Sequence, residues 1–143
     1  MKKIIVLLGL LFLWSSFLYA EDRHTFYEHF DPTSSSWIYS SSGDAATGDT
    51  ADVFTYDKKT IFFNCPVVNS TSIRYQIEGR SVTEIDGWSI LDSGEFGAAS
   101  SDTAKNFAID VTELVDFIRV GLKIQVGNAT DLINIKGIFR KSN

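Results

Sequence analysis

Cysteine is almost absent from this 143-residue chain: Cys65 stands alone. One thiol cannot close an internal disulfide, so stability has to come from a hydrophobic core. Histidine is nearly as scarce. His24 and His29 are the only two, and their spacing fits neither the i, i+4 pair of a zinc-binding helix nor two positions on one strand face. The sequence contains no Gly-x-Ser-x-Gly elbow, no phosphate-cradling glycine loop and no Cys-x-x-Cys pair. These absences leave little for nucleophilic, phosphoryl-transfer or zinc chemistry, and the expectation is a protein that is not an enzyme. Carboxylates are the one catalytic resource left. Asp86, Asp92 and Glu95 around Trp88 are the best candidates for a glycosidase pair, but they fall in what reads as turns.

Long apolar runs are missing too, except at the start. Met1-Lys2-Lys3 is basic, Ile4 to Phe17 is almost wholly apolar, and Leu18-Tyr19-Ala20 ends on a small residue. That order predicts a secretory signal peptide over residues 1–20, with an uncleaved anchor as the alternative. Cleavage leaves one domain over residues 21–143. It also removes two of the 13 basic residues and none of the 18 acidic ones, so the balance becomes 11 − 18 = −7. A surface of that sign repels phosphate backbones and anionic lipid, so neither nucleic acid nor membrane is an expected partner of the mature protein. The expected location is secreted or periplasmic.

What the sequence does have is alternation. Ile73, Tyr75 and Ile77 alternate with Arg74, Gln76 and Glu78. Phe107, Ile109 and Val111 alternate with Ala108, Asp110 and Thr112. Ile118 to Val126 is the longest such run, and Ile133, Ile135 and Phe139 line one side of a last strand. A two-residue period places each set on one face of a half-buried strand. Thr60 to Cys65, closed by Pro66, and Val53 to Tyr56 read as further strands. Asp92-Ser93-Gly94 reads as a turn and Thr112 to Asp116 as one helical turn. About eight short strands without longer helices predict an all-β fold, a single antiparallel β-sandwich, with a small barrel as the alternative. Cys65 keeps step with Ile61 and Phe63, which predicts a buried thiol; an intermolecular disulfide is the other reading.

Two candidate sites emerge. Trp37, Tyr39 and Trp88 lie beside polar or glycine-containing loops, where a flat ring can stack on a sugar while neighbours such as Asp86 bond its hydroxyls. The plainer reading makes them plugs at the core edge. Asp44, Asp49 and Asp52 fall in a glycine-containing loop that could wrap a calcium ion, although the spacing is not an EF-hand.

From Ile73 onward the chain resembles the discoidin-like (F5/8 type C, galactose-binding-like) modules. The matching pieces are Tyr75-Gln76-Ile77-Glu78-Gly79, Asp86-Gly87-Trp88-Ser89-Ile90-Leu91, Phe117-Ile118-Arg119-Val120 and Ile133-Asn134-Ile135-Lys136-Gly137. They cover about half of the mature chain. The resemblance implies a jelly-roll sandwich and binding of a glycan or cell-surface ligand, and it assigns Arg119 a structural rather than a ligand-contacting role. The disulfide common in that family has no counterpart here. The expected function is therefore a secreted, carbohydrate-binding or adhesion-type module; the alternative is a structural or assembly subunit of a surface appendage or envelope complex, with protein subunits as partners. On that alternative the aromatic opening, His24 to Phe30, docks on a neighbour's sheet edge.

Overall fold

A computed structural model describes residues 21–30, 35–39, 50–83, 87–97, 105–126 and 131–142. The expected signal segment lies outside them. Eight strands form: β1 Glu21–Phe30, β2 Thr50–Asp52, β3 Lys58–Val67, β4 Ser72–Arg80, β5 Ser89–Phe96, β6 Lys105–Val111, β7 Phe117–Val126 and β8 Leu132–Arg140. They make two antiparallel four-stranded sheets, ordered β1-β8-β3-β6 and β2-β7-β4-β5. The chain changes sheet at nearly every connection, which is the double Greek key of a jelly roll. The expected all-β sandwich is what forms, rather than a closed barrel.

Alternation explains the core. Ile61, Phe63 and Cys65 of β3, Ile73 and Ile77 of β4, Ile118, Val120 and Leu122 of β7, and Ile133, Ile135 and Phe139 of β8 all point between the sheets and are buried. At one end Phe63 stacks on Phe107 at 4.4 Å, with Tyr75 and Phe96 packed around them, so four rings seal the gap between the sheets. Cys65 is fully buried, and that burial pushes its thiol up to about 12. Tyr27 crosses the core. Its hydroxyl donates toward the carbonyls of Ile38 (2.6 Å) and Val120 (2.9 Å), tying β1 to the opposite sheet.

The aromatic opening is β1, paired along one edge with β8 of its own chain at the end of its sheet. Three local expectations are corrected. Val53 to Tyr56 is a turn, because the Asp52 carboxylate accepts the Phe54 N–H (3.2 Å) and the Val53 carbonyl accepts the Tyr56 N–H (3.0 Å). Thr112 to Asp116 contains no helical turn; the Asp116 N–H goes instead to the Arg80 carbonyl. Asp92-Ser93-Gly94 is no turn but the middle of β5. Gly94 is needed there for room, since a Cβ would sit 2.6 Å from the Tyr75 hydroxyl oxygen. Pro66 falls inside β3, in the register gap between Asn64 and Val67 where the ladder to β8 is interrupted and no N–H is required.

Candidate functional site

The outer face of the β2-β7-β4-β5 sheet should be its wet side. On β4 the outward residues are Gln76, Glu78 and Arg80, and on β7 they are Phe117, Arg119 and Gly121. The register sets them opposite one another as Gln76–Gly121, Glu78–Arg119 and Arg80–Phe117. Gln76 and Glu78 are nonetheless buried, at 6% exposure each. The cover comes from two separate pieces of chain.

The first piece is the segment around Ile38. Ile38 exchanges two 2.9 Å backbone hydrogen bonds with Leu122, beyond the end of β2 on the same edge of β7. That single bridge turns Ile38 into the core, and a two-residue period then turns Trp37 and Tyr39 outward. The Tyr39 ring lies over Gly121, where a Cβ would come within 2.7 Å of it. The second piece is Trp88, just before β5, which covers the strand pair from the other side.

Arg119 joins the two. Its guanidinium carbon is 4.0 Å from the Tyr39 ring centre and 4.2 Å from the Trp88 ring centre. Arg80 continues the series, 5.0 Å from Trp88 and 4.9 Å from Phe117. Rings and cations thus alternate along the face, each contact a cation–π attraction. Glu78 anchors the series. One carboxylate oxygen accepts from Arg119 Nε at 2.6 Å; the other accepts from Gln76 Nε2 at 2.6 Å and from the Tyr39 hydroxyl at 3.0 Å. Gln76 Nε2 also donates to the Tyr39 hydroxyl. Burial, reinforced by the bond to the Glu78 carboxylate, pushes the Tyr39 phenol above its ordinary value of 10.0. The phenol therefore remains a neutral donor.

Of the residues expected from sequence, the structure brings Tyr39 and Trp88 together across Arg119. Trp37 is half-buried on the same side of the bridge, and none of these ring–cation contacts includes it. Asp86 lies outside the described residues, as do Asp44 and Asp49. Asp52 is exposed on β2, and its Oδ1 is the acceptor that turns the chain at Phe54. Among the described residues no group of three or more His, Cys, Asp or Glu is placed to hold a metal ion, and no helix is long and apolar enough to cross a membrane. Asp92 and Glu95 project from opposite faces of β5, as their odd spacing in a regular stretch requires, so they do not face one cleft. Glu95 is held by Ser72 (2.7 Å) and Arg74 (3.4 Å).

Glu78, Gln76 and Arg80 were not singled out by sequence. The available signal was Gly121, a glycine within the longest alternating run, which marks a close approach by another group. Chemically the cluster offers fixed flat surfaces, guanidinium edges and a phenol. Its one carboxylate has both oxygens engaged.

No family model matches the sequence, and no curated protein matches it. Similarity to solved structures is found. The SPBc2 prophage-derived protein YomS is 15% identical, with 86% of this chain and 95% of that chain covered and a TM-score of 0.50. The K1 cleaved adhesin domain of Lys-gingipain from Porphyromonas gingivalis is 13% identical over 87% of this chain and 99% of that chain, TM-score 0.48. A CBM4 structure is 13% identical over 65% of this chain and 59% of that chain, TM-score 0.43. The likeness to YomS is one of fold.

Proposed function

We propose that the chain is a secreted or periplasmic, non-catalytic recognition module that binds carbohydrate or another cell-surface ligand through Tyr39 and Trp88, with Trp37 on the same face and Asp86 as a further candidate from the sequence. The observation that carries this reading is the Arg119 clamp. Two aromatic rings from distant parts of the chain are held on one guanidinium, which is itself held by a buried carboxylate. Rings already fixed in place lose little freedom when a ligand settles on them, and polar groups beside an apolar surface supply orientation. Screening the mature protein on a glycan array tests the reading. Binding that disappears in Trp88→Ala, with an unchanged circular dichroism spectrum, supports it. Silence across a broad panel, or binding indifferent to Trp88→Ala, refutes it.

A second reading, an assembly subunit, draws on a different observation. At one end of the sandwich three loops expose Phe54 (70%), Val82 (65%) and Leu114 (93%) to solvent. Side chains of that size left in water favour contact with another surface. Light scattering on the purified protein separates the two readings: a polymer that Leu114→Ser dissolves speaks for assembly, and a strict monomer speaks for recognition.

A further inference from the structure

The opposite sheet, β1-β8-β3-β6, has an outer face of a different kind. Its outward residues along β3 and β8 are mostly polar, but Leu132, Ile138 and Phe62 are apolar, and Ile138 and Phe62 both border one groove. Phe62 is 40% exposed in the middle of the face, between Lys136 on β8 and the small Ala108 on β6. No neighbour in that row is large and apolar enough to bury the ring, so its surface remains available. A groove of about 470 Å³ opens over it, lined by Arg23, Glu28, Phe62, Asn64, Asn134 and Lys136. That volume lies within the range of small-molecule sites.

The groove owes its shape to β1. The register of β1 against β8 shifts between Thr25 and Tyr27 and again between Tyr27 and Phe30, so Phe26 and Tyr27 both enter the core. Irregularities of this kind bend an edge strand. Here Arg23 and Glu28, on either side of the first shift, become one wall of the groove.

Charge and hydrogen-bonding capacity then select the ligand. Two cations, Arg23 and Lys136, meet one acid, Glu28, in a chain whose net charge is −5. Lys136 is exposed and takes part in no ion pair among the described residues. Arg23 is steadied by Glu21, 2.8 Å from its Nε. Asn64 and Asn134 face each other across the β3–β8 pair, with Asn134 Nδ2 donating to the Asn64 carbonyl at 3.2 Å. An aromatic plate, amide groups and a lysine outside any ion pair among the described residues together match a sugar ring that carries a carboxylate.

We propose that this groove is a second binding site, for saccharides containing uronic acid: the apolar face of a sugar stacks on Phe62, its carboxylate meets Lys136 and Arg23, and its hydroxyls meet the amides and Glu28. The proposal does not depend on the Tyr39–Trp88 site, which lies on the other sheet. Isothermal titration of the mature protein with hexasaccharides of polygalacturonate and of alginate tests it, with methyl-esterified oligogalacturonate and poly-glutamate as controls. The acidic hexasaccharide of at least one type should bind and weaken as salt rises. Lys136→Gln and Phe62→Ser should each loosen that binding roughly tenfold or more, while Trp88→Ala leaves it unchanged. Both variants change outward-facing residues, and circular dichroism verifies their folding. Failure of both acidic hexasaccharides to bind overturns the proposal. So does equal binding of the methyl ester or of poly-glutamate, or binding that Trp88→Ala removes and Phe62→Ser does not. Loss of the first site in the glycan screen leaves this result untouched, so the two ideas fail separately.

Discussion

Cutting the Glu78–Arg119 pair should destabilise the protein far more than a surface ion pair would. The two side chains are only 8% and 14% exposed, and the contact is 2.6 Å long. Glu78→Gln keeps the shape but offers one acceptor oxygen to donors that engaged two, and it leaves the guanidinium without a counter-charge. Losing a charge-assisted hydrogen bond costs about 1.5–3 kcal/mol, and orphaning one member of a buried pair about 3–5 kcal/mol. The residual solvent contact places Glu78→Gln near the lower end, at about 3 kcal/mol. Arg119→Met should cost about as much, because it removes the cation from between two rings and leaves the carboxylate unbalanced. The double variant removes both charges while a thioether still fills the space between Tyr39 and Trp88. It should therefore fall well short of the summed single effects, with a coupling on the order of 2–3 kcal/mol. Urea denaturation followed by tryptophan fluorescence reads this directly, since Trp88 lies against the Arg119 guanidinium. The deficit should persist in ~0.5 M salt, because a pair this buried is little screened. Single changes within about 0.5 kcal/mol of the parent, or strictly additive ones, would refute the account of the clamp.

Two further outcomes follow from groups elsewhere in the fold. Among the described residues three carboxyls titrate below their ordinary values: Glu21 through hydrogen bonds from Arg23 and Arg140, Asp57 through Ser142, and Glu95 through Ser72 and then Arg74. A lowered acid contributes stability that is fully present above its unfolded value and is lost as pH falls through its folded one. Melting temperature should thus drop on acidification below the ordinary 4.5 of glutamate and 3.8 of aspartate, and Glu21→Gln combined with Glu95→Gln should flatten that drop. An unaltered pH profile in the double variant would contradict the assignment. Cys65, buried and with its thiol pushed up to about 12, should resist alkylation by iodoacetamide at pH 8 in the native protein and react fully in urea, as mass spectrometry would record. Rapid native labelling would mean that the thiol is reachable and the buried assignment is wrong.

The core was legible from sequence, and the cover over it was not. Ile73 to Ile77, Ile118 to Leu122 and Ile133 to Phe139 announce their inward faces because burial on one side of a strand forces a two-residue period. The same period fails for Asp92-Ser93-Gly94, where turn-type residues sit mid-strand to leave room for Tyr75. It fails again for Val53 to Tyr56, whose apolar residues look strand-like while one aspartate side chain diverts the backbone. Trp88 and Tyr39 were identifiable as ring-bearing residues next to loops. Their partnership was not, because it depends on a three-dimensional coincidence: one isolated bridge at Ile38, a strand pairing that sets Arg119 against Glu78, and a glycine that lets a ring lie flat. Arg119 was read as structural, and its ion pair with Glu78 fits that reading; its place between two rings is the addition.

The Tyr39–Trp88 face and the core are mechanically one object, and Tyr27 is the reason. Ile38 is attached to the sheet by a single bridge, an attachment that would be weak by itself, since one pair of backbone bonds fixes few residues. Tyr27, rooted in the other sheet and fully buried, brings its hydroxyl to the Ile38 carbonyl and to Val120 beside it. The position of Tyr39, one residue further along, is therefore set from both sheets at once. Its phenol is then fixed again by Glu78 and Gln76 on the surface. The groove around Phe62 has the opposite construction, for its floor is made of paired strand residues that need no second segment to hold them. The same fold thus carries one face that depends on a strap of chain drawn across it and one that depends on the bend of an edge strand. Core changes that shift Tyr27 should reach the first face and spare the floor of the second.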